Sequence, residues 1–179
     1  PESMVAAVYE RARYFLNRGK FLVTIGGEHS VSIGSIKAFA EHYSSDLTVL
    51  QFDAHSDLRQ EYLGSKNNHA CVMARIKEVA PIVQVGIRSM DISEKTEIDP
   101  KRIFFAHEIK KRSDWHESVF NLLSKNVYIT IDLDVFDPAV MPSVGTPEPD
   151  GFQYSDVLEL VKKVNERTNI VGFDVVELC

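Results

Sequence analysis

The chain has 179 residues, of which 44% are hydrophobic and 26% are charged, and this composition predicts one globular domain over residues 1–179. The net charge of −6 argues against non-specific binding to nucleic acid, and no stretch resembles a signal peptide or a membrane-spanning segment. Two cysteines indicate no disulfide framework, which predicts a reducing, cytoplasmic location. The chain begins without methionine and ends just after an apolar run, so we expect it to be part of a longer protein.

Apolar periodicity divides the chain into alternating helices and strands. In chain order, the pattern predicts a helix at 3–17, a strand at 21–25, a helix at 31–42, a strand at 48–53, a helix at 68–80, and strands at 82–87 and 103–106. A helix at 113–123, a strand at 127–132, a helix at 155–167 and a strand at 170–176 follow. This alternation predicts an α/β protein with three layers, α/β/α, and a parallel central sheet.

Three local details of these elements are also predicted. The apolar run at 21–25 is typical of a strand that is buried on both faces. Ser113 is expected to cap the helix that follows it. The face of the 68–80 helix that carries Val72, Ile76 and Val79 is expected to point inward.

One polar stretch at the end of a predicted buried strand carries two carboxylates and an imidazole. Asp53, His55 and Asp57 are spaced by two residues, so in extended backbone they project from the same face. Such a set is a ready chelate for a divalent cation. Taken alone, the stretch is also compatible with a polar loop that contains a hydrogen-bonded histidine.

Two further motifs lie at strand ends. Asp132 and Asp134 share a face, although capping or surface acid explains such a pair equally well when it is taken alone. Asp137, which precedes a proline, is expected to start a turn rather than to bind metal. His29 follows two glycines and by itself could be a core or a surface residue. Ligands of open α/β sheets bind at the carboxyl ends of the strands, so these motifs are expected to converge there.

Convergence of the motifs would concentrate negative charge. Each pair of carboxylates about 4 Å apart repels by about 4 kcal/mol at an effective dielectric constant of about 20. Two divalent cations would balance four carboxylates. The oxygen-rich ligand set with two imidazoles favours manganese, with iron, cobalt, nickel and zinc left open. A water bridging two such cations ionises near neutral pH, which predicts metal-dependent hydrolysis by hydroxide. The proline-rich segment 134–154 is expected to form a wall of this site.

Three ordered motifs resemble those of the ureohydrolase family, which contains arginase, agmatinase, guanidinobutyrase and formimidoylglutamase. They are Gly-Gly-Glu-His-Ser at 26–30, Asp-Ala-His-Ser-Asp at 53–57 and Asp-Leu-Asp-Val-Phe-Asp-Pro at 132–138. Segments 57–63, 68–70 and 145–149 resemble agmatinases more than arginases. The resemblance extends over nearly the whole chain.

The resemblance implies a role for each site residue. It implies two Mn²⁺ ions per chain, the first held by His29, Asp53, Asp57 and Asp132, and the second by Asp53, His55, Asp132 and Asp134. Asp57 would also pass a proton to the leaving amine. The resemblance also implies that three residues lie around the substrate. His69 would be a proton shuttle, Glu177 a partner for the guanidinium group and Thr146 a loop residue near the substrate.

The function implied by the resemblance is hydrolysis of a small linear guanidino compound, most simply agmatine, to urea and an amine. Aminopropylagmatine and guanidinobutyrate are other substrates that the sequence leaves open. The resemblance also implies a homo-oligomer, either a trimer or a hexamer. Family members are longer at both ends, so we expect edge strands and the closure of the substrate pocket to be missing here. Two alternatives are a zinc-dependent deacetylase on a related sheet and a metal-binding homologue or fragment without turnover.

Overall fold

The computed structural model describes residues 1–179 and is built around one sheet. Its six strands are all parallel and lie in the order β1-β6-β5-β2-β3-β4. The strands are β1 Leu22–Ile25, β2 Leu47–Phe52, β3 Ile82–Ile87, β4 Ile103–Phe105, β5 Asn126–Asp132 and β6 Asn169–Val176. The helices are α1 Glu2–Leu16, α2 Val31–Tyr43, α3 Val72–Ile76, α4 Ala106–Ile109, α5 Trp115–Phe120 and α6 Tyr154–Arg167.

Helices cover both faces of the sheet, because its central strands are apolar on both sides. Leu47 and Val49 of β2 join the core under α1, α2 and α3, whereas Leu50 and Phe52 join the core under α4, α5 and α6. The two cores contain 18 and 17 buried residues. The predicted three-layer α/β/α arrangement with a parallel sheet is therefore confirmed. No helix combines the length and the apolar character that a membrane crossing requires.

The predicted strands and long helices agree with the structure to within about one residue at each end, whereas the short helices differ more. The strand at 82–87 has the predicted bounds, but only Val72–Ile76 of the predicted 68–80 segment is α-helical, after a 3₁₀ turn at His69–Cys71. The inward placement of Val79 is wrong, since this side chain is 43% exposed beyond the end of α3. Ser113 does not cap α5, which begins one residue after Asp114.

The first strand differs from its predicted environment. β1 is an edge strand that pairs only with β6, and its residues alternate between half-buried and exposed. Phe21, Val23 and Ile25 are 58%, 47% and 83% exposed. The prediction of burial on both faces is wrong. A uniformly apolar run indicates a strand, but it does not indicate whether another element of the chain packs against each face of that strand.

A β-bulge sets the pairing of β5 with β6. Val127 of β5 pairs with Ile170 of β6, but Tyr128 pairs with Gly172, so Val171 is the extra residue. Beyond the bulge, polar residues of five neighbouring strands stand in one row across the sheet. We call it the polar row, and its members are Thr24, Asp174, Thr130, Gln51 and Gln84. The row lies on the α1–α3 side, just before the carboxyl ends of the strands.

Candidate metal centre

His29 lies at the centre of a group of carboxylates. It follows β1 through two glycines and sits just before α2, where its side chain is 1% exposed. Its Nδ1 atom lies 3.2 Å from Asp53 Oδ2, 3.0 Å from Asp57 Oδ2 and 3.4 Å from Asp132 Oδ2. The backbone therefore brings carboxylates from two strand ends, those of β2 and β5, to one imidazole nitrogen.

A second group adjoins the first and shares one carboxylate with it. His55 Nδ1 lies 3.0 Å from Asp134 Oδ2 and 3.6 Å from Asp53 Oδ1. Asp53 thus points one oxygen at each imidazole, and both groups have ligand atoms close enough to surround one ion each. This shared carboxylate is the geometry that a bridge between two metal ions requires.

Asp132 joins the cluster on the His29 side. Its Oδ2 atom faces His29, while its Oδ1 atom accepts a hydrogen bond of 3.0 Å from the backbone N–H of Asp134. All six residues predicted as metal ligands therefore lie together at the carboxyl edge of the sheet. A bridging role for Asp132, as implied by the family resemblance, stays a prediction.

The cluster fits a metal ion better than it fits a set of hydrogen bonds. His29 Nδ1 is fully buried and makes no hydrogen bond, although three carboxylate oxygens surround it. A buried polar atom without a partner is costly. An ion among these atoms would give the nitrogen a partner and would offset the repulsion between the carboxylates.

The backbone conformation at Asp57 is supported by a buried carboxylate, that of Glu94. Asp57 adopts a left-handed conformation with φ of 53°, which L-residues seldom adopt without support. The next backbone N–H, of Leu58, donates a 2.7 Å hydrogen bond to Glu94 Oε1, and Glu94 is 4% exposed. Glu94 was not predicted as a site residue, because its partners are backbone groups that leave no mark in the sequence.

Of the three residues predicted to lie near the substrate, Glu177 and Thr146 contact the cluster directly. Glu177 follows β6 with φ of 65°, and its Oε1 atom accepts a 2.6 Å hydrogen bond from the backbone N–H of His29. Thr146 donates a 3.2 Å hydrogen bond to Asp134 Oδ2. The segment 134–154 thus contributes a wall of the site, as predicted.

His69 lies further out, at the rim of a cleft. Its Nδ1 atom is 3.6 Å from Glu28 Oε2, and its ring meets Tyr62 edge-on at 5.9 Å. The cleft has a volume of about 240 Å³ and also reaches the ligand candidates His55 and Asp57. A small molecule in this cleft would contact the rim and the cluster together.

Arg88 connects the wall of the site to the sheet, although no sequence motif marks it as a site residue. Its guanidinium donates hydrogen bonds to backbone carbonyls on both sides of the 134–154 segment, including those of Asp134 at 2.6 Å, Glu148 at 2.9 Å and Pro149 at 3.0 Å. Burial lowers the pKa of Arg88 below its ordinary value, and the nearby carboxylate of Asp134 opposes this shift. One side chain thus connects two parts of this segment to the sheet.

The protonation of the metal-free cluster reflects burial and mutual charge. Burial opposes the charged form of His55, but hydrogen bonds to Asp134 and Asp53 outweigh it and raise the pKa of His55 to about 11. Burial and the neighbouring charge of Asp53 raise the pKa of Asp57 to about 7. In the absence of a metal ion, bound protons therefore reduce the net negative charge of the cluster.

Metal binding at this cluster should strengthen as the pH rises. Because His55 is protonated below a pKa of about 11 and binds metal only as the neutral form, filling its site releases a proton. We expect affinity at that site to rise about tenfold per pH unit between pH 7 and 9. Below pH 7 Asp57 also carries a proton, so affinity at the site of His29, to which Asp57 belongs, should fall as the pH decreases. Calorimetric titration with Mn²⁺ in buffers of different ionisation enthalpy measures both quantities. Affinity that stays constant with pH would contradict this picture.

A parallel α/β sheet with two adjoining His/Asp groups at its carboxyl edge defines a candidate binuclear metal protein. Comparison with known families gives the class more narrowly. The sequence profile of the arginase family matches residues 1–179, and the chain belongs to this family, whose members are binuclear metal enzymes.

Individual relatives share both sequence and fold with the chain. It is 38% identical to the N(1)-aminopropylagmatine ureohydrolase of Synechocystis sp. over 99% of this chain and 60% of that protein. It is 35% identical to the agmatinase of Pyrococcus horikoshii over 87% of this chain and 54% of that protein. The crystal structure of a putative agmatinase from Clostridium difficile superposes with a TM-score of 0.86 at 39% identity, over 97% of this chain and 64% of that one. The chain therefore spans about 60% of the length of such relatives.

Proposed function

We propose that the chain carries the metal centre of a ureohydrolase that cleaves a small linear guanidino compound, most simply agmatine, into urea and putrescine. The observation that carries the proposal is the pair of imidazole–carboxylate groups joined by Asp53. Relatives named agmatinase and N(1)-aminopropylagmatine ureohydrolase support this substrate class. Agmatine, aminopropylagmatine and guanidinobutyrate are the candidates within it.

We propose two Mn²⁺ ions as the cofactor, since the donors are mainly carboxylate oxygens with two imidazoles and no thiolate. His29, Asp53, Asp57 and Asp132 would hold one ion, and Asp53, His55, Asp132 and Asp134 the other. Two bound cations would supply a water that ionises at neutral pH, together with positive charge beside the reacting carbon. We also propose that the protein assembles as a trimer or a hexamer.

The side chains around the cluster would orient the substrate and move protons. Glu177 uses Oε1 for the backbone N–H of His29, which leaves Oε2 to accept a hydrogen bond from the guanidinium group. Asp57 would hold the proton that is lost from the attacking water and pass it to the leaving amine. His69, at the rim, would shuttle protons between the mouth of the site and solvent, and Thr146 would line the substrate side of the wall.

The test is urea release from a panel of guanidino compounds after loading with Mn²⁺. We expect turnover of agmatine or aminopropylagmatine, little turnover of arginine, and no urea from the Asp132→Ala variant. The deacetylase alternative is not favoured, because the named relatives are ureohydrolases. Two bound ions without urea from any member of the panel would support the second alternative, a metal-binding homologue or fragment without turnover.

A further inference from the structure

Beneath the metal centre, a buried carboxylate is connected to one of its imidazoles through a single hydroxyl group. Asp174 is 0% exposed and lies on β6, directly opposite Thr130 of β5. The hydroxyl of Thr130 donates a 2.6 Å hydrogen bond to Asp174 Oδ1 and lies 2.9 Å from His29 Nε2. A continuous path of hydrogen bonds therefore runs from β6 to the imidazole.

We propose that Asp174 and Thr130 are positioning residues that fix the tautomer of His29 and so prepare its Nδ1 atom for the metal; this inference rests on the proposed metal centre. A threonine hydroxyl has one proton to donate. Since that proton goes to Asp174, the oxygen of Thr130 can only accept from His29, which places the ring proton of His29 on Nε2. Nδ1 then presents a lone pair to the space among the three carboxylates.

The remaining contacts of Asp174 hold it in the orientation that this path requires. Tyr128 donates a 2.8 Å hydrogen bond to Asp174 Oδ2, and Ser35 lies 3.2 Å from the hydroxyl of Tyr128. Both oxygens of the carboxylate are thus engaged by hydroxyl groups, and no lysine or arginine pairs with it. The positive charge nearest to Asp174 would be the one shared by His29 and its metal ion.

The same arrangement occurs a second time in the polar row, on the ligand that the two ions would share. Gln51 donates a 2.7 Å hydrogen bond to Asp53 Oδ2, and Gln84 donates a 2.6 Å hydrogen bond to Gln51 Oε1. Both glutamines are buried. The polar row therefore contacts two of the candidate metal ligands, His29 through Thr130 and Asp53 through Gln51. This repetition indicates that the row supports the metal centre and that Asp174 is not an isolated buried acid.

The test compares Thr130→Val, which keeps the shape of the side chain but removes its hydroxyl, with Thr130→Ser, which keeps the hydroxyl. Manganese titration followed by electron paramagnetic resonance gives a dissociation constant for each ion. We expect Thr130→Val to weaken the ion at His29 by about 10–100-fold and to spare the ion at His55, whereas Thr130→Ser stays near the unmodified chain. Asp174→Asn should weaken the same ion. Thr48→Val is the matched control, because Thr48 is a buried threonine of β2 outside the polar row, and its hydroxyl contacts Ser124, at 2.8 Å, and not His29.

A spectroscopic measurement on the unmodified chain removes any dependence on the folding of variants. In the chain loaded with diamagnetic Zn²⁺, the ¹⁵N resonances of the His29 ring should show the proton on Nε2. Equal manganese binding by Thr130→Val and the unmodified chain overturns the inference alone, whereas a proton on Nδ1 overturns the inference and also removes His29 from the proposed ligands. Absence of manganese binding by the unmodified chain overturns the metal centre and this inference together. Selective weakening in Thr130→Val without urea release supports the inference and rejects only the activity.

Discussion

Replacing Asp53 with asparagine should remove tight binding of both metal ions at once. Asp53 faces His29 with Oδ2 and His55 with Oδ1, at 3.2 Å and 3.6 Å, so no other side chain adjoins both imidazoles in this way. Loss of a group that merely supports a ligand costs about 10–100-fold in affinity, and loss of the shared ligand itself should cost more than about 100-fold for each ion. Urea release should fall to background.

Asp134→Asn provides the contrast, since Asp134 belongs only to the group around His55. We expect this variant to keep the ion at His29 and to lose the other. Glu166→Gln removes an exposed carboxylate far along α6 and controls for the change in net charge. Metal content after gel filtration, measured by mass spectrometry, distinguishes the variants. Retention of one ion by Asp53→Asn would show that the two groups are independent.

Replacing Arg88 with methionine should detach the wall of the site from the sheet. Methionine is of similar length and apolar, so the variant removes the hydrogen bonds while keeping most of the side chain's bulk. The carbonyls of Asp134, Glu148 and Pro149 would lose their donor, and each hydrogen bond from a charged group contributes about 1.5–3 kcal/mol. Because water replaces part of this loss, we expect the free energy of unfolding to fall by about 2–4 kcal/mol.

Two readouts separate a local effect of Arg88 from general instability. Hydrogen exchange should rise first in the 134–154 segment, and the melting temperature should fall by less in Arg88→Lys, which keeps the charge but not the planar array of donors. The Arg102→Met variant serves as a comparison, since Arg102 reaches only one backbone carbonyl, that of Leu122, at 3.4 Å. Equal stability of Arg88→Met and the unmodified chain would show that the segment holds itself in place.

Residues that act through their own side chains could be found in the sequence. His29, Asp53 and Asp132 stand at strand ends, and the rule that parallel strands present their carboxyl ends at one edge was enough to bring them together. The long strands were found for a similar reason, because their apolar runs are local properties of the chain. The pattern that marked β2 and β5 depends on no distant residue.

Residues that act through other residues could not be found in this way. Glu94 and Arg88 bind backbone groups up to 61 positions away, which carry no residue-specific signal. Asp174 did offer one clue, since a carboxylate inside an apolar strand is seldom buried without a purpose. Its partner Thr130 became recognisable only when the register of β5 and β6 was known. The exposure of β1 likewise depends on which elements pack against it and not on its amino-acid composition.

The bulge at Val171 has a consequence for how this sheet tolerates length changes. Four strand positions separate the extra residue from the level of the metal ligands, yet the alignment at that level depends on it. With one residue more between Ile170 and Gly172 and a bulge of the same size, Phe173 would stand opposite Thr130 in place of Asp174, and a benzene ring would meet a hydroxyl where a carboxylate now accepts its proton. An insertion several residues before the metal ligands, in a stretch with no chemistry of its own, would thus remove the carboxylate that accepts the proton of Thr130.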